Sequence, residues 1–187
     1  MSDTKTIQLR KPVTIGKDAA AQTFDALTLR EPRAGEFESA EKMAMKCGYD
    51  VALVSLVAGV PVDAVDLMGV TVVDEAMDYF ATFAPEGMGD DFVSEDEFRL
   101  ELRSPAKIGE GDDAPSYAVL NLSEPTNIQR RKAGEAGGQW AAVISLVSRN
   151  AGVPVAAVRA MCASDFLEAA KYFKGFQGRH RKTLANG

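Results

Sequence analysis

An α+β fold made of two similar small units, each a short β-hairpin or meander followed by three to four helices, is predicted by three features of the chain. The pentapeptide AGVPV stands at Ala58–Val62 and again at Ala151–Val155, 93 positions apart. Identity extends outward at that same spacing: between residues 7–83 and 100–176, 27 of 77 aligned positions agree without a gap. Within each copy, two-residue alternation gives way to helical periodicity, so strands precede helices instead of alternating with them. A period of 93 is longer than the roughly 20–50 residues of a solenoid repeat, and it indicates a tandem pair of small domains.

The copy is read most easily in its first occurrence. In TIQLRKPVTIG the apolar residues Ile7, Leu9, Val13 and Ile15 alternate before Gly16, as in a strand interrupted at Pro12, which has no N–H for a ladder. FDALTLREP supplies a second strand, Phe24 to Leu29, stopped by Pro32. From Gly35 the period changes: Phe37, Ala40, Met43, Ala44 and Cys47 fall on one helical face, with Glu36, Glu38, Glu41, Lys42 and Lys46 opposite, and Gly48 closes the helix. The second copy has GEAGG at Gly134–Gly138 in the corresponding region. Glycine costs about 1 kcal/mol relative to alanine inside a helix, so this helix is expected to be shorter, shifted or broken.

Asp50 is then expected to cap the apolar stretch VALVSLVAG, which its composition marks as buried. Gly59 and Gly152 suit the left-handed residue that ends a helix, and Pro61 and Pro154 suit the first turn of the next. AGVPV is thus a helix stop fused to a helix start, a corner kept for packing and not for chemistry. A short helix carries Val62, Val65 and Met68. Thr71 and Ser164 are expected to cap a last helix, which buries Ala76, Tyr79, Phe80 and Phe83 in one copy and Ala169, Tyr172, Phe173 and Phe176 in the other. The resulting divisions are a first repeat over 1–83, an acidic linker over 84–97, a second repeat over 98–176 and a basic, mobile tail over 177–187.

Charge separates the copies. Residues 1–97 carry eight Lys/Arg and 19 Asp/Glu, net −11, whereas residues 98–187 carry thirteen and eight, net +5. Opposite signs suit association of the halves with each other or between chains. A unit of this size buries only about 60% of the surface its unfolded chain exposes, so each copy is expected to lean on its twin or on a partner. No apolar run reaches the roughly 18 residues of a membrane span, and the polar start MSDTKTIQ lacks the apolar core of a signal peptide. A cytoplasmic protein that does not enter a membrane is expected.

Residues for catalysis are scarce. The one histidine, His180, lies in the basic tail, leaving no base for a nucleophilic triad elsewhere. Cys47 aligns with Trp140 and Cys162 with Gly69, so the two cysteines read as reduced, partly buried small hydrophobes and not as a matched disulfide or metal site. There is no zinc spacing, phosphate loop or dinucleotide fingerprint, and the pairs Asp90–Asp91 and Asp112–Asp113 fall in solvated loops. No enzyme, metal or cofactor is expected. LVSLVAGVPVDAVDLMGVTV has the cadence of a helix-turn-helix, but its second helix offers Asp63 and Asp66 where base edges and phosphates need cationic and amide side chains. Nucleic-acid binding is disfavoured accordingly.

The run L-x-x-P (Leu9–Pro12), LTLREP at Leu27–Pro32, the GVPV corner at Gly59–Val62 and the closing E-A-x-x-Y-F-x-x-F helix ending at Phe83 together resemble a tail assembly chaperone family of tailed bacteriophages. The pattern recurs at Leu120–Pro125, Gly152–Val155 and the helix ending at Phe176. Members usually carry one such unit, so the tandem pair is a departure. The resemblance implies a small non-enzymatic protein of the bacterial cytoplasm that binds the long, helical tape measure protein, helps recruit tail tube subunits and is absent from the finished particle. A structural component of that particle and a helix-turn-helix regulator are the alternatives. Partner contact is expected in a groove between the first and last helices of a unit, at Phe37, Met43, Met77 and Phe83 and, in the second copy, Ala170 and Phe176.

Overall fold

The computed structural model describes residues 4–88, 94–111 and 114–176. The tail over 177–187 with His180, the pairs Asp90–Asp91 and Asp112–Asp113, and the middle of the acidic linker lie outside the described residues. The chain forms two compact units. The described residues up to Pro32 and those from Glu36 to Phe83 make the first; Arg33–Gly35 and the described residues from Ala84 onward make the second.

The first unit contains β1 (Lys5–Ile15), β2 (Gln22–Leu29), α1 (Ala34–Cys47) from Glu36 onward, α2 (Tyr49–Ala58), α3 (Val62–Asp66) and α4 (Val70–Ala81). The second contains β3 (Glu97–Lys107), β4 (Ser116–Ser123), α5 (Asn127–Gly134), α6 (Gln139–Ala151), α7 (Val155–Ala160) and α8 (Ala163–Lys174). The α+β class is therefore as expected, with one antiparallel hairpin per unit. A lone hairpin is marginal in water, and each one packs on helices. In the first unit β2 packs on α2, and β1 on α3 and α4; in the second β4 packs on α6, and β3 on α7 and α8. Ile7, Leu27, Leu29, Leu53, Val54, Val65, Met68, Ala76 and Phe80 form the first core, and Leu100, Leu120, Leu122, Ile144, Val147, Val158, Met161, Phe166 and Phe173 the second.

The L-R-x-P motif has a structural meaning that alternation did not reveal. In β1 the pairing passes from Gln8↔Ala26 to Val13↔Phe24, so Leu9–Pro12 face the single residue Asp25. In β3 it passes from Glu101↔Val119 to Ala106↔Tyr117, so Leu102–Pro105 face Ala118. Both hairpins carry the same wide bulge at equivalent positions. Pro12 and Pro105 belong there because a bulged residue owes no N–H to the ladder.

The AGVPV corner is built alike in both units. Gly59 (φ 67°, ψ 28°) and Gly152 (φ 68°, ψ 27°) are left-handed helix ends. Val60 N donates to Ser55 O (3.2 Å) and Val153 N to Ser148 O (3.1 Å). The hydroxyls of Ser55 and Ser148 return the tie, each donating to the carbonyl oxygen of Val60 or Val153 at 2.6 Å. Pro61 and Pro154 stand one place earlier than expected, at the N-cap. Their extended backbone (ψ 143° and 146°) turns the carbonyl toward Ala64 N and Ala157 N.

Other caps also differ from expectation. Thr71 lies within the first turn of α4, because Gly69 takes the cap and its carbonyl accepts from Val72 N at 2.9 Å. Ser164 is inside α8, behind Cys162, whose carbonyl accepts from Phe166 N at 3.0 Å. Asp50 is in the first turn of α2, which starts from Gly48. Glu38, placed by periodicity on the solvent face of α1, is 4% exposed. Its carboxylate takes Lys42 one turn on as an i,i+4 ion pair, which offsets the charge it carries inward.

The helix after the second strand starts differently in each unit. Arg30 grips both carboxylate oxygens of Glu36, pinning the head of α1. The hydrogen bonds to Glu36 raise the pKa of Arg30; burial opposes the shift, and the Glu36 charge reinforces it. The second unit has Ser123 and Gln129 at those positions and uses a capping box instead: Gln129 N donates to Thr126 Oγ1 (3.2 Å), and Thr126 N to Gln129 Oε1 (2.9 Å). That helix, α5, ends at Gly134, and α6 begins at Gln139. The glycine-rich stretch does break what is one 14-residue helix in the first unit.

Candidate functional site

A groove of about 610 Å³ opens in the first unit between the β1 bulge and the α3–α4 corner. One wall is Leu9, Arg10, Lys11, Pro12 and Val13; the other is Leu67, Met68, Gly69, Thr71, Val72 and Glu75. The bulge residues that have no partner on β2 form one wall of it. Leu67 is 64% exposed at the groove and Val70, between the lining residues Gly69 and Thr71, is 71% exposed. Isolated exposed apolar residues are ordinary, but apolar side chains gathered around one concavity mark a contact surface.

The two walls differ in sign. Arg10 and Lys11 are exposed on the strand side and, among the described residues, have no acidic partner. On the helix side Glu75 lines the groove and is bridged by Lys5 at 2.9 Å, and Asp74 and Asp66 are exposed nearby in the chain.

At the equivalent place in the second unit the helix side carries a carboxylate. Asp165, at the position of Val72, is 3% exposed. Its Oδ2 accepts from Arg103 N at 2.9 Å, and its Oδ1 lies 3.9 Å from Arg103 Nε. Arg103 corresponds to Arg10, so a carboxylate of α8 ties down the β3 bulge where Val72 in α4 offers no acceptor. Phe166, at the position of Val73, is fully buried and meets the Trp140 ring at 5.8 Å. Ala160 and Ala163 replace Leu67 and Val70.

A second divergence lies at the start of the hairpins. Lys5, which bridges Glu75 in the first unit, is replaced in the second by Phe98, which stacks on Tyr172 with ring centroids 5.3 Å apart. Tyr172 also donates its hydroxyl to Asp96 O (3.0 Å), and Ser94 donates to Tyr172 O (2.6 Å). Lys171 and Lys174 donate to the carbonyl oxygens of Glu86 and Met88. The described parts of the acidic segment are thus laid along α8.

The residues pointed to by periodicity are dispersed. Phe37 on α1 and Phe176 after α8 are buried; Met43 on α1, Met77 on α4, Phe83 and Ala170 on α8 are half-buried. None of them lines the groove. Gly59 and Gly152 are the C-caps of α2 and α6, and Pro61 and Pro154 the N-caps of α3 and α7. The helix-turn-helix candidate has a second helix, α3, of five residues with Asp63 and Asp66 exposed, too short and of the wrong charge for a DNA groove. Cys47 and Cys162 are not joined in a disulfide. Among the described residues no cluster of His, Cys, Asp and Glu could hold a metal ion, and no helix is long and apolar enough to cross a membrane.

The groove residues do not stand out among the identities of the two copies, because the copies differ there. Leu67, Val70 and Val72 stand where the second copy has Ala160, Ala163 and Asp165.

Residues 6–85 match the family model described as phage tail assembly chaperone proteins, E, or 41 or 14. No curated protein and no solved structure matches the chain. The matched segment runs from β1 to just beyond α4 and contains the bulge, the AGVPV corner and the groove. Over the first unit the chain is thus similar to phage tail assembly chaperone proteins.

Proposed function

We propose that the protein binds the tape measure protein during tail assembly, shields its apolar helical surface and helps recruit tail tube subunits to it. The observation that carries this reading is the open groove of the first unit, apolar at its floor and charged at its rims. A long helical protein with no tube around it exposes apolar faces, and a helix-in-groove contact would cover them reversibly. The half-buried Met77 and Phe83 of the same unit, together with Met43, add apolar surface that the same client would cover.

The protein acts by binding, without catalysis, in the cytoplasm of the infected or lysogenic bacterium. It is the product of a tandem duplication: the 27 identities at one fixed offset, the shared element order and the paired bulges all support descent of both units from one. The acidic first and basic second halves suit self-association. Co-expression with the tape measure protein encoded beside its gene, followed by co-purification and sizing, tests the reading. A soluble complex is expected where the long protein alone precipitates. Unchanged precipitation with no association would sink the chaperone role.

A further inference from the structure

We propose that the two units have specialised: the groove of the first docks an amphipathic helix carrying a carboxylate beside its apolar stripe, and the second has closed its own groove with an internal carboxylate. This deepens the chaperone reading and rests on it only for the identity of the natural client.

Comparison of the units supplies the chemistry. In the second, the bulge arginine Arg103 and its backbone N–H are met by Asp165. In the first, Arg10 keeps the cation, but Val72 stands where the acid would be, and Arg10 remains exposed at the rim of an open groove beside Lys11. An incoming side chain that reproduces the lost pairing must be Asp or Glu. Leu67, 64% exposed on the opposite wall, requires an apolar partner at the same time. Asp66 and Asp74, exposed next in the chain to the lining residues Leu67 and Glu75, favour a basic residue on the far flank of the stripe. An amphipathic helix meets all three demands, because residues three and four apart share a face while the flanks on either side can differ in charge.

The test uses the full chain and a fluorescein-labelled synthetic 18-residue helix with a leucine stripe, Glu along one flank and Lys along the other, followed by anisotropy. Leu67→Glu and Arg10→Glu alter exposed side chains, so folding should be preserved, which circular dichroism checks. Each is expected to weaken binding roughly tenfold or more, as buried hot spots and charge pairs do. A peptide with Lys on both flanks is expected to recover affinity for Arg10→Glu. Val72→Asp, which supplies an internal acid, is expected to weaken binding in the same way. Wild-type affinity in Leu67→Glu and Arg10→Glu would overturn the proposal, as would equal binding of a peptide lacking the leucine stripe. Absence of peptide binding together with a Leu67→Glu change in the sedimentation of the chain itself would identify a second copy as the occupant, and would also overturn it. Peptide binding at the groove with no solubilisation of the tape measure protein would instead refute the client assigned above, leaving the groove intact.

Discussion

Replacing Asp165 with alanine removes the carboxylate that ties the β3 bulge to α8. Asp165 is 3% exposed, and its Oδ2 accepts the Arg103 backbone N–H at 2.9 Å. A hydrogen bond to a charged group contributes about 1.5–3 kcal/mol net. The Arg103 guanidinium is 70% exposed and 3.9 Å away, so it adds less than about 1 kcal/mol. The expected loss is about 2–3 kcal/mol, dominated by the backbone bond; for a domain of this size that lowers Tm by roughly 10–20 °C. Arg103→Ala leaves the backbone donor in place and is expected to cost under about 1 kcal/mol, while Asp165→Asn keeps an acceptor and should fall between them. Thermal unfolding followed by circular dichroism, with amide exchange of Leu102–Ser104 as the local readout, checks the ordering. A shift of less than roughly 2 °C for Asp165→Ala, or an equal loss for Arg103→Ala, would refute the idea that this bond holds the bulge.

Gly59→Ala and Gly152→Ala are expected to destabilise by about 1–2 kcal/mol each. Nothing lies within 4 Å of the added Cβ at either site, so the penalty is purely that of a left-handed residue; calorimetric shifts near zero would contradict it. Ser55→Ala should cost about 1 kcal/mol by stranding the buried Val60 carbonyl, measured by urea unfolding. Thr126→Ala removes half of the capping box and is expected to cost about 1 kcal/mol, with faster amide exchange confined to the start of α5. Lys5→Ala breaks an ion pair whose members are 34% and 51% exposed; its effect on Tm should be small, under about 1 kcal/mol.

Much of the fold was legible because local signals and packing agreed. The αL glycine followed by proline specifies the AGVPV corner from five residues, and the three glycines in GEAGG are enough to break a helix that the first unit keeps whole. What escaped required partners distant in sequence. The L-R-x-P motif reads as part of an alternating strand until β2 fixes the register; only then do Leu9–Pro12 emerge as a bulge. Glu38 follows the polar face by period, but its burial depends on what surrounds α1 and not on the helix itself. Thr71 and Ser164 look like caps because a hydroxyl near a helix start suits that role, yet Gly69 and Cys162 take the extended backbone there.

The groove was illegible for a related reason. It is lined by side chains from β1 and from a corner some 55–65 residues later in the chain, and one lining residue, Val72, stands where the second copy has Asp165. Asp165 meets Arg103 across 62 residues, a pairing that no spacing rule anticipates. Phe37 and Phe176, expected as contacts in a groove between the first and last helices, are both buried, which the sequence of each helix alone does not reveal.

Hydrogen–deuterium exchange of the full chain, with and without the tape measure protein, most directly tests whether the first unit is the client-binding one. Protection is expected in two separate stretches, 7–14 and 67–75, where the groove walls lie. Protection confined to the second unit, or none in either stretch while a complex forms, would contradict it.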